Sequence, residues 1–293
     1  MIQEIFPHQY HVEYLPEAVP TPDSGLMVCA GRGVLLKSDV NPETGKTEER
    51  IPRFSDFPEP PFETLSAKAR YLFSVDNDRY FLLPLAALPG HFLSKGFRFA
   101  PMATFREFGS QTEAFIAVTA SQFYRFYNTR RFCGRCGTEN VHSRTERAMV
   151  CPKCGLTEYP KISPAIIVAV TDPERNKILL TRYQRSASDY RRKALVAGFV
   201  EVGETPEETV KREVMEETGV RVKNIRPYKM QPWSFTDSLM IGYTAELDGS
   251  PEITLQTSEL CEAAWYSPEE VPENPSTVSV GNEMVQAFKR GEL

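Results

Sequence analysis

One stretch limits what this chain can fold into more than any other: residues 198–220, GFVEVGETPEETVKREVMEETGV. Its second half spells a helix with both ends marked. Thr205 is a capping residue, Pro206 suits the first helical position, and Glu208 completes a capping box. Gly219 is a natural stop, because only glycine enters the left-handed region without a steric penalty. Val210 and Val214 mark a buried stripe. Glu213, Glu216 and Glu217 crowd the adjoining side, at about 100° per residue. Carboxylates three and four apart repel, and they sit where the helix dipole disfavours anions. A hard divalent cation would relieve that conflict; Mg²⁺ held by one or two carboxylates plus substrate phosphates is the usual arrangement. Arg212 is available to orient or neutralise one carboxylate. The bland alternative for any cluster of glutamates on a helix is a solvated acidic face.

The full spacing goes further. Gly198 is followed by five residues, Glu204, seven residues, and then Arg212-Glu213-Val214-Met215-Glu216-Glu217-Thr218-Gly219-Val220. This resembles the Nudix box, Gx5Ex7REUxEExGU with U aliphatic, at every fixed position. The resemblance implies a hydrolase that cleaves a nucleoside diphosphate linked to another group.

At 293 residues the chain is long enough for two domains and a sizeable core. A net charge of -5 argues against a large non-specific nucleic-acid footprint. The first twenty residues lack the basic start and apolar core of a signal peptide. The longest apolar run, 165–170, is far too short to span a bilayer. A cytoplasmic protein with no membrane partner is expected. Four of six cysteines form two CxxC pairs, Cys133/Cys136 and Cys151/Cys154, each followed by glycine. In a reducing compartment that spacing suits tetrahedral Zn²⁺ in a closed, structural site. Cys29 and Cys261 read as small buried residues.

Before the ribbon, residues 25–37 suggest two short strands around a turn at Gly31-Arg32-Gly33. Residues 39–61 are polar and proline-rich, and read as a loop; 79–86 read as a strand interrupted at Pro84. Ser110 and Glu113 form a capping box for a helix reaching about Tyr127. Strands are expected at 164–171, 177–183, 194–200, 222–230, 238–248 and 261–266, and a closing helix at 281–290. The fold class is α/β: an α/β/α sandwich, a four-cysteine zinc ribbon, and a mixed, mostly β N-terminal domain. The expected domains are 1–127, 128–160 and 161–293.

A zinc ribbon directly before the box, an extra N-terminal domain, and Gln231-Pro-Trp-Ser-Phe-Thr-Asp-Ser238 after it narrow the resemblance. Together they make the chain similar to the NADH pyrophosphatases of the Nudix superfamily, also known as enzymes that remove NAD caps from RNA. That group's signature is SQPWPFPxS. Here Met230 replaces its serine, and Ser234 and Thr236 replace its prolines, which loosens the loop. The resemblance implies Mg²⁺ or Mn²⁺ held by Glu213, Glu217, Glu259 and the backbone carbonyl of Ala197. Glu262 competes for the place given to Glu259. Glu216 or Glu217 would deprotonate the attacking water, with Arg212 beside them. Substrate would meet Phe199, Gln231, Pro232, Trp233, Ser234, Phe235, Thr236, Asp237, Ser238 and Gly281, with Arg106 a further candidate. Phe199 and Trp233 are the aromatics able to sandwich a flat base, although a core role would also suit them. Tyr159 and Glu146 of the ribbon would also touch substrate, from the partner subunit of a homodimer. The implied reaction is hydrolysis of NAD(H) to AMP and nicotinamide mononucleotide, on the free dinucleotide or a capped RNA end. Two other readings stand beside it: a pyrophosphatase for ADP-ribose or a diadenosine polyphosphate, and a non-enzymatic zinc-ribbon adaptor.

Overall fold

The computed structural model describes residues 1–40, 42–43, 45–90, 92–184, 193–258 and 260–293. Two compact units emerge. One contains residues 2–161 with 234–236; the other contains Met1, 162–233 and 237–293.

The first unit begins with two small sheets. Strands Tyr10–His11, Arg70–Val75, Asp78–Leu82 and Gly25–Met27 form one. Strands Cys29–Ala30, Gly33–Val40, Thr47–Arg50 and Phe97–Pro101 form the other. Leu26, Leu35, Phe54, Tyr71 and Phe81 close a shared core. Gly31 makes the expected turn at φ 57°. Residues 39–61 are not all loop: Thr47–Arg50 pairs antiparallel with 37–40. This strand, TEER, has no apolar residue and so leaves no periodicity to read. Backbone pairing holds it, and Arg50 secures the corner by donating to Asp39 and to both carboxylate oxygens of Asp56 at 2.8 Å.

Helix α1, Gln111–Thr129, follows. Ser110 caps it by accepting from the Glu113 backbone N–H. Glu113 does not complete a box; its carboxylate accepts from the Ile51 N–H at 3.4 Å. The ribbon then runs through three two-residue strands, Val141–His142, Met149–Val150 and Thr157–Glu158.

The other unit is organised on β1, Ser163–Asp172. Its alternation sends Ile166, Val168 and Val170 into one core and Ile167 and Ala169 into another. Then come β2 (Lys177–Tyr183), β3 (Val196–Phe199), β4 (Val222–Trp233), β5 (Ser238–Leu247) and β6 (Leu260–Tyr266). The sheet order is β4-β5-β1-β2-β6, with β3 also paired to β1. β5 runs parallel to β1; the other pairings are antiparallel. Helix α2, Pro206–Thr218, covers one face through Val210 and Val214. Helix α3, Val280–Lys289, covers the opposite one through Met284 and Phe288. This is the α/β/α sandwich. One cysteine departs from expectation. Cys29 is buried, but Cys261 is exposed, because it lies on the edge strand β6. No described helix is long and apolar enough to cross a membrane.

Candidate active site

Both ends of α2 are built as the sequence dictates. Thr205 and Glu208 exchange capping hydrogen bonds, and Gly219 ends the helix at φ 70°. Downstream chain satisfies two of its last carbonyls: Gln256 N–H donates to Glu217 and Thr254 N–H to Thr218. The helix thus lies with its acidic turns beside β3.

The three glutamates separate by burial. Glu217 is 2% exposed, the Glu213 side chain 14% and the Glu216 side chain 53%. The expected crowding is therefore unequal, with two carboxylates turned inward and Glu216 at the rim. Arg212 organises them. Its Nε and Nη2 grip both oxygens of Glu204, at 2.6 and 3.0 Å. Its Nη1 reaches Glu213 at 2.8 Å and Glu216 at 3.0 Å, and Nη2 also donates to the Phe199 carbonyl at 3.1 Å. Bidentate, charge-assisted contacts of this kind fix geometry as well as charge. They hold the Glu204 carboxyl at about 2, well below its usual 4.5. Gly198 completes the cradle. A side-chain carbon there would stand 2.0 Å from the Glu213 carboxyl carbon, so only glycine lets that carboxylate lie on β3.

Tyr183, at the end of β2, was not marked by any motif. Its hydroxyl lies 3.3 Å from the Ala197 carbonyl oxygen and 3.4 Å from Glu217 Oε1. Burial, and then the nearby Glu217 charge, push its pKa above the usual tyrosine value. A single phenol oxygen thus spans two of the expected ligand atoms. Two inward carboxylates and a backbone carbonyl are hard oxygen donors, a set that fits Mg²⁺ or Mn²⁺. Glu259 lies outside the described residues. Glu262, the alternative for that place, pairs with Arg182 at 3.0 Å and with Lys193, and Tyr266 donates to it at 2.8 Å.

The candidate nucleotide contacts divide. Phe199, at the end of β3, is 54% exposed and not a core residue, and its carbonyl accepts from Arg212 beside the glutamates. Trp233 is half-buried and faces Ser238 across the β4–β5 hairpin. Pro232 and Thr236 are exposed; Ser234, Phe235 and Ser238 are buried. Asp237 turns the hairpin at φ 59° and accepts from Ser163 N–H through its carbonyl. Gln231 is fully buried and uses its amide on backbone: Nε2 donates to Val278 and Oε1 accepts from Val280 N–H, both at 2.8 Å. It positions the entry to α3. Gly281 meets Ile167 Cδ1, which would stand 2.6 Å from an added side-chain carbon, so packing alone requires its small size. In the first unit, Arg106 lies 4.9 Å from the Phe235 ring and Arg125 donates to the Ser234 carbonyl.

The ribbon brings its four cysteine sulfurs within 4.8 Å of one another. Each pair is a tight knuckle. Gly137 N–H donates to Cys133 O, Gly155 N–H donates to Cys151 O, and the glycines adopt φ 72° and 73°. Four thiolates so gathered fit Zn²⁺ and leave it no open position. Glu146 and Tyr159 also come together, the Tyr159 hydroxyl lying 3.1 Å from both carboxylate oxygens. Tyr159 is exposed, and that carboxylate pushes its pKa up.

Comparison with known proteins matches these parts. Residues 161–288 match the NUDIX domain family, and 128–159 match the NADH pyrophosphatase zinc ribbon domain. A Haemophilus influenzae protein named NAD-capped RNA hydrolase NudC is 41% identical over 182 residues, 60% of this chain and 67% of that protein. An Escherichia coli protein of the same name is 43% identical over 171 residues, 58% of this chain and 65% of its own length. The chain thus spans about two thirds of the length of these curated relatives. A crystal structure of a NUDIX hydrolase from Nitrosomonas europaea is 26% identical, covering 55% of this chain and 91% of that one, with a TM-score of 0.45.

Proposed function

The chain belongs to the Nudix hydrolase family, in the branch that carries the NADH pyrophosphatase zinc ribbon, and on that premise we propose that it hydrolyses the pyrophosphate of NAD(H). The products are AMP and nicotinamide mononucleotide, and the NAD cap of an RNA 5′ end is a second substrate of the same chemistry. The observation that carries the reading is the pair of inward carboxylates, Glu213 and Glu217, held beside Ala197 by Arg212, Gly198 and Tyr183.

Glu213, Glu217 and the Ala197 carbonyl would hold Mg²⁺ or Mn²⁺, with Glu259 the further ligand that the family resemblance implies. When bound, the ion neutralises the phosphoryl oxygens and acidifies a water. The chain's own residues do the rest. Arg212 fixes Glu213 and Glu216 relative to Glu204, so little reorganisation remains for the reacting complex. A carboxylate of the cluster, Glu216 or Glu217, takes the proton as water attacks one phosphorus in line. Phe199 and Trp233 hold a flat ring of the dinucleotide. Pro232, Thr236 and the Tyr159–Glu146 pair supply further contacts, the last from the second copy in a homodimer. The division into 1–127, 128–160 and 161–293, and a cytoplasmic location, belong to this proposal; the cysteines gathered for metal suit a reducing compartment.

A panel of pyrophosphates with Mg²⁺ or Mn²⁺ tests the reading. NADH or NAD⁺ should lead in kcat/KM. ADP-ribose leading by about tenfold would overturn the substrate assignment while leaving the reaction class intact.

A further inference from the structure

Glu146 sits in a ribbon turn that is gripped from outside the ribbon. Within the turn, Ser143 N–H donates to the Ala148 carbonyl at 3.0 Å, and the N–H groups of Thr145 and Glu146 donate to Ser143 Oγ at 3.3 Å. The next side chain, Arg147, leaves the ribbon for the N-terminal region. Its Nη2 donates to the Val12 carbonyl at 3.0 Å and the Leu72 carbonyl at 2.7 Å. Its guanidinium lies 4.4 Å from the Phe123 ring on α1 and 5.3 Å from the Tyr14 ring. Tyr14 holds the other end of the same turn, donating its hydroxyl to the Ser143 carbonyl at 2.7 Å. Just before the turn, His142 contacts Arg70 of the strand Arg70–Val75.

Arg147 Nη1 is buried and has no hydrogen-bond partner among the described residues. Around that buried nitrogen the guanidinium meets two carbonyls and two ring faces, and those four neighbours set its geometry. A planar guanidinium can place Nη2 between both carbonyls and still lay its plane against the rings; a lysine ammonium has no plane to stack. Four residues from the N-terminal region, Val12, Tyr14, Leu72 and Phe123, thus converge on the turn that carries Glu146.

We propose that Arg147 is a positioning residue for substrate recognition, acting through Glu146. It transmits the position of the N-terminal region to the ribbon turn that carries Glu146, whose carboxylate meets the exposed Tyr159 hydroxyl. The proposal rests on the reading above that Glu146 meets the substrate.

The test is steady-state kinetics with NADH on the full-length, zinc-loaded protein. Arg147→Ala should raise KM about tenfold with kcat within about twofold, as expected when binding shared by ground and transition states is lost. Arg147→Lys should do nearly as much, and Tyr14→Phe about threefold. In a Glu146→Ala background, Arg147→Ala should add nothing further. An unchanged KM in Arg147→Ala, or additive effects in the double variant, overturns the proposal, because a merely structural role would not vanish with Glu146. If Glu146→Ala alone leaves KM unchanged, the substrate role of Glu146 fails and that of Arg147 with it, while the α2 carboxylates are untouched by that result. Zinc content and thermal midpoint are measured on every variant. Should Arg147→Ala lose its zinc, Tyr14→Phe, which keeps the guanidinium in place, decides by the same KM comparison.

Discussion

Two clusters of like-charged side chains among the described residues are held together in different ways. The four thiols of the ribbon are gathered by local backbone: two knuckles, each closed by a glycine with positive φ and an N–H bonded back to a cysteine carbonyl. The carboxylates of α2 are gathered by a side chain, Arg212, together with a glycine on a strand and a tyrosine from a second strand. The first cluster is closed by its own ligands. The second grades from buried Glu217 to half-exposed Glu216, and it opens where Phe199 is exposed. A closed set can only stabilise; a graded, open set leaves room for phosphate and water. The contrast separates a structural metal from a catalytic one without recourse to the metals themselves.

The strongest challenge to this contrast comes from the ribbon. Cys151→Ser should remove zinc altogether and unfold the knuckles, an effect on the order of 10 kcal/mol in structural zinc sites. Metal analysis and ¹H–¹⁵N spectra of residues 128–160 check it; a folded, zinc-free ribbon would erase the distinction. At α2, Glu217→Gln should lower kcat about 10³-fold, with a thermal midpoint equal to or above that of the unaltered protein. The midpoint is expected to hold because the change removes a charge from a self-repelling set. Arg212→Lys should cost about 10²-fold in kcat/KM, since an ammonium cannot hold Glu204 bidentately and reach Glu213 and Glu216 as well. Phe199→Ala should raise KM about tenfold with little change in kcat.

The smallest effect concerns pH. The Glu204 carboxyl is held at about 2, from 4.5, mainly by hydrogen bonds from Arg212. A folded value below the unfolded one means that its contribution is complete above 4.5 and is lost as pH falls toward 2. Thermal midpoints between pH 6 and 3 should therefore fall more steeply for the unaltered protein than for Glu204→Gln. Equal slopes would show that the Arg212–Glu204 clamp adds nothing to the fold.

The same two clusters explain how much was legible in the sequence. The ribbon was written in contiguous spacing, and so were both ends of α2. The strands of the sandwich showed through β1 and its apolar neighbours. What stayed hidden depends on contacts between distant positions. Tyr183 lies 34 residues before Glu217 and belongs to no motif, yet its hydroxyl reaches that carboxylate. The engagement of Arg212 with three carboxylates needs the loop from Gly198 to Glu204 folded back on the helix. Thr47–Arg50 escaped because a polar edge strand carries no hydrophobic alternation, and Cys261 because the sheet's edge is set by pairing order. Gln231 stood in a signature stretch, but its amide is taken up by the backbone before α3, a role that only the fold reveals.

The most direct test of the central claim is Mn²⁺ binding followed by electron paramagnetic resonance or anomalous diffraction, on the zinc-loaded protein with AMP present. The account predicts manganese coordinated by Glu213 and Glu217 beside the Ala197 carbonyl, and loss of that signal in Glu217→Gln. Manganese bound elsewhere, or bound equally well by Glu217→Gln, would contradict it.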